Sequence, residues 1–375
     1  MSLKSVTDLL SSEPIRSLLY AAAILFLFLL PLVTYLIWWL RRFLGWMQSR
    51  IGPNRVGPAG LLQTPADAMK LLLKEDIIPA AADRWVFTVA PAITFIPAFL
   101  VYAVVPFTRG LQAVDLSVGV LYLSAIGSVG VIGIISGGWA SNNKYALLGA
   151  MRSAAQMVSY EIPLVLAMMS PVVLAGTLSM RSIVATQSPA WFILILPTSF
   201  LLHFIASMAE NNVTPFDMVE AESELVAGFN VEYSGMKFAL FFLAEFANTI
   251  TLAAIGTTLF LGGWHGPLSD STFSLLGVPL GLVAGAIWFS AKTGVLVTTV
   301  LWVRGTLPRI RVDQLMDLGW KALIPLTLLN LVLTALWVAL DWPLIGLAVL
   351  NWLLLLGTLA RGWHKQPERA VEFRP

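Results

Sequence analysis

Carboxylate side chains are concentrated in the segment 210–237, which has six of them and a single lysine. On a helix Glu220 and Glu224 would share one face, where neighbouring carboxyl groups disfavour each other's ionisation. The run is typical either of a solvated acidic loop or of a proton-accepting cluster beside a polar cavity. Its members are Glu210, Asp217, Glu220, Glu222, Glu224 and Glu232.

Four further polar or ionisable side chains interrupt apolar runs of the sequence. Glu161 opens one run, so it either reaches the membrane surface or takes part in function. Glu245 and Lys292 lie deeper, and a charge within a membrane must pair or face water, which makes both candidates for a proton path. His203 lies near the middle of its run, where a lone histidine is more often a hydrogen-bonding group between helices than a ligand.

The composition excludes several classes of protein. Of 375 residues, 58% are hydrophobic and only 12% are charged, about half the charged fraction of a soluble domain. A formal net charge of +2 leaves no basic face for nucleic acid. With no cysteine and three histidines, the sequence excludes a thiolate-ligated iron–sulfur cluster, a cysteine zinc site, a disulfide and a bis-histidine haem. Any redox centre must therefore belong to another subunit.

Nine apolar segments are long enough to cross a membrane, which requires about 20 residues of helix. We predict an all-α, polytopic integral membrane protein that forms a single transmembrane domain over 1–375. The first segment lacks a small-residue cleavage site after it and is predicted to be a retained span. The segments are 17–40, 85–106, 118–139, 162–180, 190–209, 238–261, 277–303, 322–340 and 342–360.

Lysine and arginine are concentrated in the odd-numbered connections between these spans and in the C-terminal tail, 361–375. Because cytoplasmic loops carry the excess of positive charge, this distribution predicts the orientation of the chain. The loops 41–84 and 210–237 and the tail are expected to face the cytoplasm. The N-terminus is expected on the other side.

The first cytoplasmic loop, 41–84, combines a basic corner with a helix. Two Gly-Pro pairs within 50–58 are incompatible with a helix and predict a rigid, turn-rich corner. Thr64 is predicted to cap the next helix, with Pro65 at its first position. That helix is predicted to be amphipathic and to lie at the membrane surface or against a partner. Its apolar side is formed by Met69, Leu72, Leu73 and Ile77.

The loops contain a collinear series of motifs between residue 41 and about residue 320. They include Arg50-Ile-Gly-Pro-Asn-Arg-Val-Gly-Pro, Ser159-Tyr-Glu, Thr214-Pro-Phe-Asp, Glu224-Leu-Val-Ala-Gly, Glu232-Tyr-Ser-Gly-Met-Lys and Arg304-Gly-Thr-Leu-Pro-Arg-Ile-Arg. Together they resemble the H subunit of bacterial respiratory complex I, the homologue of mitochondrial subunit 1. No single motif would be specific, but the ordered set is.

The resemblance implies a function. Members of this family join the membrane arm of the complex to its peripheral arm, form the membrane-side part of a quinone chamber and couple quinone reduction to proton movement. Quinone is the implied substrate, while FMN and the iron–sulfur clusters belong to partner subunits. The implied partners are the peripheral-arm subunits of the quinone site, neighbouring membrane-arm subunits and lipid, in the bacterial inner membrane.

The resemblance also assigns residues to two roles. The quinone chamber and subunit interface would include Arg41, Arg42, Arg50, Arg55, Asp67 (also counted in the acidic funnel), Phe216, Arg304, Arg309 and Arg311. A carboxylate funnel for protons would include Glu161, Glu210, Asp217, Glu220, Glu222, Glu224, Glu232 and Glu245. Lys292 joins the proton-coupling set because of its position within a span.

The chain departs from the family pattern at three positions. Leu40 and Ser128 stand where the family usually has glutamate, and Val213 stands where it usually has arginine. Two alternatives therefore stay open. The chain could be the equivalent subunit of a complex-I-related membrane-bound hydrogenase or formate-linked complex, or a free-standing ion transporter, although it shows no obvious inverted repeat.

Overall fold

The computed structural model describes residues 30–188, 190–218, 227–267, 274–275 and 278–364. These residues form a helical bundle with one small hairpin, which confirms the predicted all-α, polytopic class. The hairpin pairs β1 (Ser274–Leu275) with β2 (Val278–Pro279). The helices are α1 (Leu30–Met47), α2 (Gln63–Leu73), α3 (Arg84–Leu100), α4 (Gly119–Ala140), α5 (Lys144–Ala175), α6 (Met180–Thr186), α7 (Phe192–Ile195), α8 (Pro197–Glu210), α9 (Gly235–Phe260), α10 (Leu280–Thr306), α11 (Val312–Asp317), α12 (Ile324–Ala339) and α13 (Leu344–His364).

Six helical stretches in the described part of the chain are long and apolar enough to cross a membrane. They are α3 with its following 3-10 turn, α4, α5, α9, α10, and α11 joined to α12 by a π-helical segment. Helix α13 contains a shorter apolar stretch, Leu344–Thr358. Helix α1 covers part of the first predicted span, whose residues 17–29 lie outside the described residues.

Helix α5 begins and ends earlier than the predicted span 162–180, so that prediction is wrong at both ends. The helix begins after Asn143, whose Oδ1 accepts a hydrogen bond from an amide of the first turn. It ends before Gly176, which has a left-handed conformation (φ 66°). Polar side chains such as Arg152 conceal its first half in a hydropathy pattern. Glu161 therefore lies in the middle of the helix rather than at its start.

The predicted span 190–209 is broken in the structure. Leu196 (φ −122°, ψ 55°) separates α7 from α8. The next residue is Pro197, which has no amide hydrogen for continuing the preceding helix. Helix α8 has 14 residues, about 21 Å of rise, and it ends at Glu210 inside the bundle.

The first loop contains the expected corner, but its helix has different ends. Segment 48–62 consists of turns and one 3-10 turn (Pro58–Gly60), and Gly60 has a positive φ of 74° that favours glycine. Helix α2 begins before Thr64, so the prediction that Thr64 is its N-cap is wrong. The helix ends before Lys74, which is extended (φ −74°, ψ 140°). Ile77 therefore lies beyond the amphipathic helix to which it was assigned.

Helices α3, α4, α5, α8 and α9 pack on one another at the centre of the bundle. Helix α4 approaches α3 at Gly133, where a Cβ atom would overlap Oγ1 of Thr94. It approaches α5 at Gly138, where a Cβ atom would overlap that of Ala150. Small residues allow this close contact between helices. The close contact fixes the positions from which α5 and α9 present their carboxyl groups.

Candidate functional site

Four carboxyl groups line two adjacent cavities inside the bundle. Glu161 of α5 and Glu210 of α8 line a cavity of about 60 Å³. Glu210, Glu245 of α9 and Asp217 line another, of about 50 Å³. Because Glu210 belongs to both, the four groups form one series, which we call the carboxylate row.

Two members of the carboxylate row, Glu161 and Glu210, lie beside uncharged polar groups. The hydroxyl of Ser128 donates a hydrogen bond to Oε1 of Glu161. Oε2 of Glu210 is buried and has no hydrogen-bond partner among the described residues. Thr94 and Asn248 add polar atoms to the same cavities. Carboxyl groups beside small polar cavities can exchange a proton through water.

The other two members of the row, Asp217 and Glu245, are paired with arginines. Nη2 of Arg309 donates to Oδ2 of Asp217 at 2.9 Å, and the Asp217 side chain is only 8% exposed. Nη1 of Arg304 lies 3.5 Å from Oε1 of Glu245. Arg304 is in the last turn of α10, and Arg309 follows that helix. The row therefore passes from ion pairs at one end to neutral partners at the other.

Phe216, predicted for the quinone chamber, is buried within the bundle at 6% exposure. Its ring centroid lies 6.1 Å from that of Tyr160 on α5. Nε2 of Gln156 donates to the carbonyls of Phe216 (2.7 Å) and Ala209 (2.6 Å). Gln156 thus ties the end of α8 and the following segment to α5, which positions Asp217 in the row.

Glu232 lies outside both carboxylate cavities and contacts the start of α5. Nδ2 of Asn143 donates to Oε1 of Glu232 at 2.6 Å. The next residue, Tyr233, stacks on Phe87 with 4.1 Å between ring centroids. Burial raises the pKa of Tyr233, so this hydroxyl stays protonated over a wide pH range. Glu232 therefore holds the loop against the bundle.

The basic residues of the first loop lie around the corner and the start of α2. Nη1 of Arg41 contacts Oδ2 of Asp67 at 2.5 Å. Arg42 donates to the carbonyl of Ala59 (2.9 Å) and lies over the ring of Trp38. Five members of the predicted set have exposed side chains: Arg41, Arg50, Arg55, Arg309 and Arg311.

A larger, mainly apolar cavity of about 540 Å³ lies between α1, α2 and α9. We call it the lateral cavity. Ile37 of α1, Leu71 of α2 and Phe242 of α9 line its apolar walls. Arg41, Asp67 and Lys70 also line it, so the structure brings one ion pair and a further cation to a mainly apolar space.

Lys292 lies apart from the carboxylate row. Its Nζ donates to the carbonyls of Leu261 (2.7 Å), Gly263 (3.1 Å) and His265 (2.6 Å), just beyond the C-terminal end of α9. A cation at a helix C-terminus stabilises the unpaired carbonyls there. The helix rises about 24 Å between Glu245 and this end, so the two side chains lie at different depths.

Glu220, Glu222 and Glu224 lie outside the described residues, so their place in a proton path stays a prediction. Over the ranges that the structure describes, no group of three or more His, Cys, Asp or Glu side chains is arranged to hold a metal ion. The described site offers the chemistry of carboxyl groups beside an apolar cavity.

Sequence reasoning missed the amide side chains that organise the site. Asn211 lines both carboxylate cavities, and its Nδ2 donates to Oγ1 of Thr249 and to the carbonyl of Glu245 (3.2 Å). Gln156 and Asn248 are the other examples. The sequence signal that could have identified them is an amide side chain within or next to an apolar run. A buried amide needs hydrogen-bond partners, so it is expected to organise the groups around it.

The fold and this site define a class: polytopic α-helical membrane proteins with a row of carboxyl groups inside the bundle and an apolar cavity beside it. Residues 20–335 match the protein family described as NADH dehydrogenase. Curated relatives are similar along most of the chain. The H subunit of NADH-quinone oxidoreductase from Dehalococcoides mccartyi (strain CBDB1) is 53% identical over 318 residues, 85% of this chain and 86% of that protein.

Two further relatives carry the same description. The H subunit of NADH-quinone oxidoreductase from Anoxybacillus flavithermus is 53% identical over 313 residues, covering 83% of this chain and 91% of the relative. That of Bacillus cereus (strain B4264) is 51% identical over 319 residues, covering 84% and 93%. The chain belongs to the family of NADH-quinone oxidoreductase H subunits.

Proposed function

We propose that the chain forms the membrane-side part of a quinone chamber in a proton-translocating NADH:quinone oxidoreductase and couples quinone reduction to proton movement. The observation that carries this proposal is the lateral cavity, with its apolar walls and its Arg41–Asp67 pair. Quinones combine a long apolar tail with a polar head. A cavity of about 540 Å³ with one charged edge is suited to part of such a molecule.

The position of α2 supports entry of the quinone from the lipid. Met69, Leu72 and Leu73 of α2 are exposed on the outside of the chain, at 58%, 59% and 83%. An apolar face of this kind lies in the membrane interface. Since α2 also forms one wall of the lateral cavity, a lipid-soluble molecule could pass between α2 and the helices α1 and α9.

The carboxylate row supports the proton-coupling part of the proposal. Reduction of a quinone to a quinol takes up two protons with two electrons, so a chamber needs groups that deliver protons. Glu161, Glu210, Asp217 and Glu245 provide carboxyl groups that share two cavities. Glu232 and the segment Glu220 to Glu224 would extend this supply towards the chamber.

The remaining assignments follow from the proposed chamber. FMN and the iron–sulfur clusters would be in partner subunits, since this chain has no cysteine. Peripheral-arm subunits would cover the exposed arginines of the corner and the loop after α10, and membrane-arm subunits and lipid would cover the apolar sides. The chain would lie in the inner membrane as one transmembrane domain, with its large loops and tail facing the cytoplasm.

Bulky substitutions in the lateral cavity test the proposed chamber. Ala239→Trp on α9 and Leu71→Trp on α2 fill the cavity from opposite sides. The matched control is Val332→Trp, on the exposed side of α12. In the purified complex, both cavity variants should slow quinone reduction by NADH and leave reduction of ferricyanide unchanged. Quinone reduction at the control rate in both would contradict the proposal.

A further inference from the structure

His203 on α8 is buried at 2% exposure between α8, α9 and α10. Neither ring nitrogen makes a hydrogen bond of normal geometry with a described residue, although the Leu252 carbonyl faces the ring. The sequence favours a hydrogen bond between helices at this position, and the described part of the chain contains no such bond. Burying a polar ring without a hydrogen-bond partner inside a membrane bundle costs free energy, which makes the ring a candidate for a functional role.

The ring lines a small, mainly apolar cavity that is distinct from the carboxylate cavities. The cavity has a volume of about 20 Å³, enough for one water molecule. Ser207, Asn211 and Thr249 line it together with His203 and supply hydroxyl and amide groups. Among the described residues that line it, none has an ionised side chain.

Asn211 connects this cavity with the carboxylate row. It lines the His203 cavity and both carboxylate cavities, so all three meet at one side chain. Its amide donates to Thr249 and to the carbonyl of Glu245. Along α8, His203 and Glu210 are seven residues apart, about 10 Å of rise and two turns.

We propose that His203 is a proton acceptor at the end of a side branch that leaves the carboxylate row at Asn211. The proposal rests on the proposed function. In the step, the carboxyl group of Glu210 loses a proton, water carries it past Asn211, and a ring nitrogen of His203 gains it. A carboxylate and an imidazolium result, no electron moves, and the reverse step restores both groups.

Burial disfavours the charged form of the ring, and three groups beside it can offset part of that cost. As an imidazolium, both nitrogens of His203 donate, and the Leu252 carbonyl and a water in the cavity can accept. The Phe260 ring lies 5.5 Å away, within the range of a cation–π interaction. The branch therefore gives the protein a place to hold one proton briefly, away from the chamber, until the carboxyl groups of the row are protonated again.

The test compares complexes that carry His203→Gln and His265→Gln. Glutamine keeps a polar amide at His203 but cannot carry a proton. His265 lies in the loop after α9, outside the branch, and contributes its carbonyl to Lys292, which glutamine retains. Two readouts are needed: quinone reduction coupled to proton uptake in liposomes, and the infrared difference spectrum on reduction with ¹⁵N-histidine label.

His203→Gln is expected to slow coupled quinone reduction on the order of a hundredfold, to remove an imidazole band from the difference spectrum and to leave ferricyanide reduction unchanged. His265→Gln should keep both the rate and the band. Gly256→Ala is a second variant that keeps His203, because its new Cβ would lie 3.3 Å from Nε2. It should shift the band and slow turnover less.

Wild-type turnover and an unchanged imidazole band in His203→Gln would overturn the branch, as would slower turnover without loss of the band. The outcomes separate the two proposals. If the wild-type complex reduces quinone with proton uptake, the proposed function stands whatever His203→Gln does. If it does not, the proposed function fails and the branch fails with it.

Discussion

At the scale of single residues, ion pairs differ in what they contribute because they differ in burial. Asp217 is 8% exposed beside Arg309, whereas Asp317 and Lys321 pair on the surface at 62% and 73% exposure. A buried carboxylate that loses its cation is left in a poor solvent. At the surface, water solvates a carboxylate that has lost its cation, so the loss costs little.

Arg309→Ala should therefore destabilise the chain by about 1–3 kcal/mol, and Lys321→Ala by less than about 0.5 kcal/mol. The thermal inactivation midpoint of the purified complex measures the difference. Arg309→Lys should recover part of the loss, because it restores the charge but not the geometry of the guanidinium. Equal midpoints for the two alanine variants would show that the Asp217 pair is not a stabilising contact.

The residue types of the site are predictable from the sequence, but their partners are not. The acidic residues of α8, α9 and the following segments stand out because apolar runs rarely carry charge. Their pairing with Arg304 and Arg309 depends on how α9 and α10 pack, which spacing does not reveal. Lys292 shows the limit: an intramembrane charge suggested proton coupling, and the structure places its ammonium on the carbonyls beyond α9.

At the scale of elements, close contact between α3 and α4 depends on Gly133. Gly133→Ala should destabilise the bundle by about 1–3 kcal/mol, because the new methyl group would overlap Thr94. Gly127→Ala is the matched control on the same helix, since no atom of the described residues lies within 4 Å of its Cβ position. The thermal aggregation midpoint of the detergent-solubilised complex should fall only for Gly133→Ala; equal midpoints would contradict the packing.

Long, uniformly apolar helices could be predicted, whereas helices that mix polar and apolar residues could not. The predicted spans in α4 and α9 agree with the structure within a few residues. The predicted span in α5 begins too late because the first half of the helix carries polar residues that face other helices. The break at Leu196 was missed because hydropathy does not register a backbone angle.

At the scale of the whole molecule, the charge distribution predicts which side of the membrane each loop faces. The chain has no cysteine, so labelling of a single thiol introduced into it shows on which side of the membrane that thiol lies. Ile51→Cys in the corner (85% exposed) should react with a membrane-impermeant maleimide only from the cytoplasmic side. Leu111→Cys, between α3 and α4 and 41% exposed, should react only from the opposite side. Labelling of both from one side would contradict the predicted orientation.

The central claim is that the carboxylate row couples quinone reduction to proton movement, and Glu210 is its shared member. The most direct measurement is the rate of NADH:quinone reduction with proton uptake in liposomes that contain Glu210→Gln or the exposed control Glu75→Gln. We predict a loss on the order of a hundredfold for Glu210→Gln alone, with ferricyanide reduction intact in both. Coupled turnover of Glu210→Gln equal to that of the control would contradict the account.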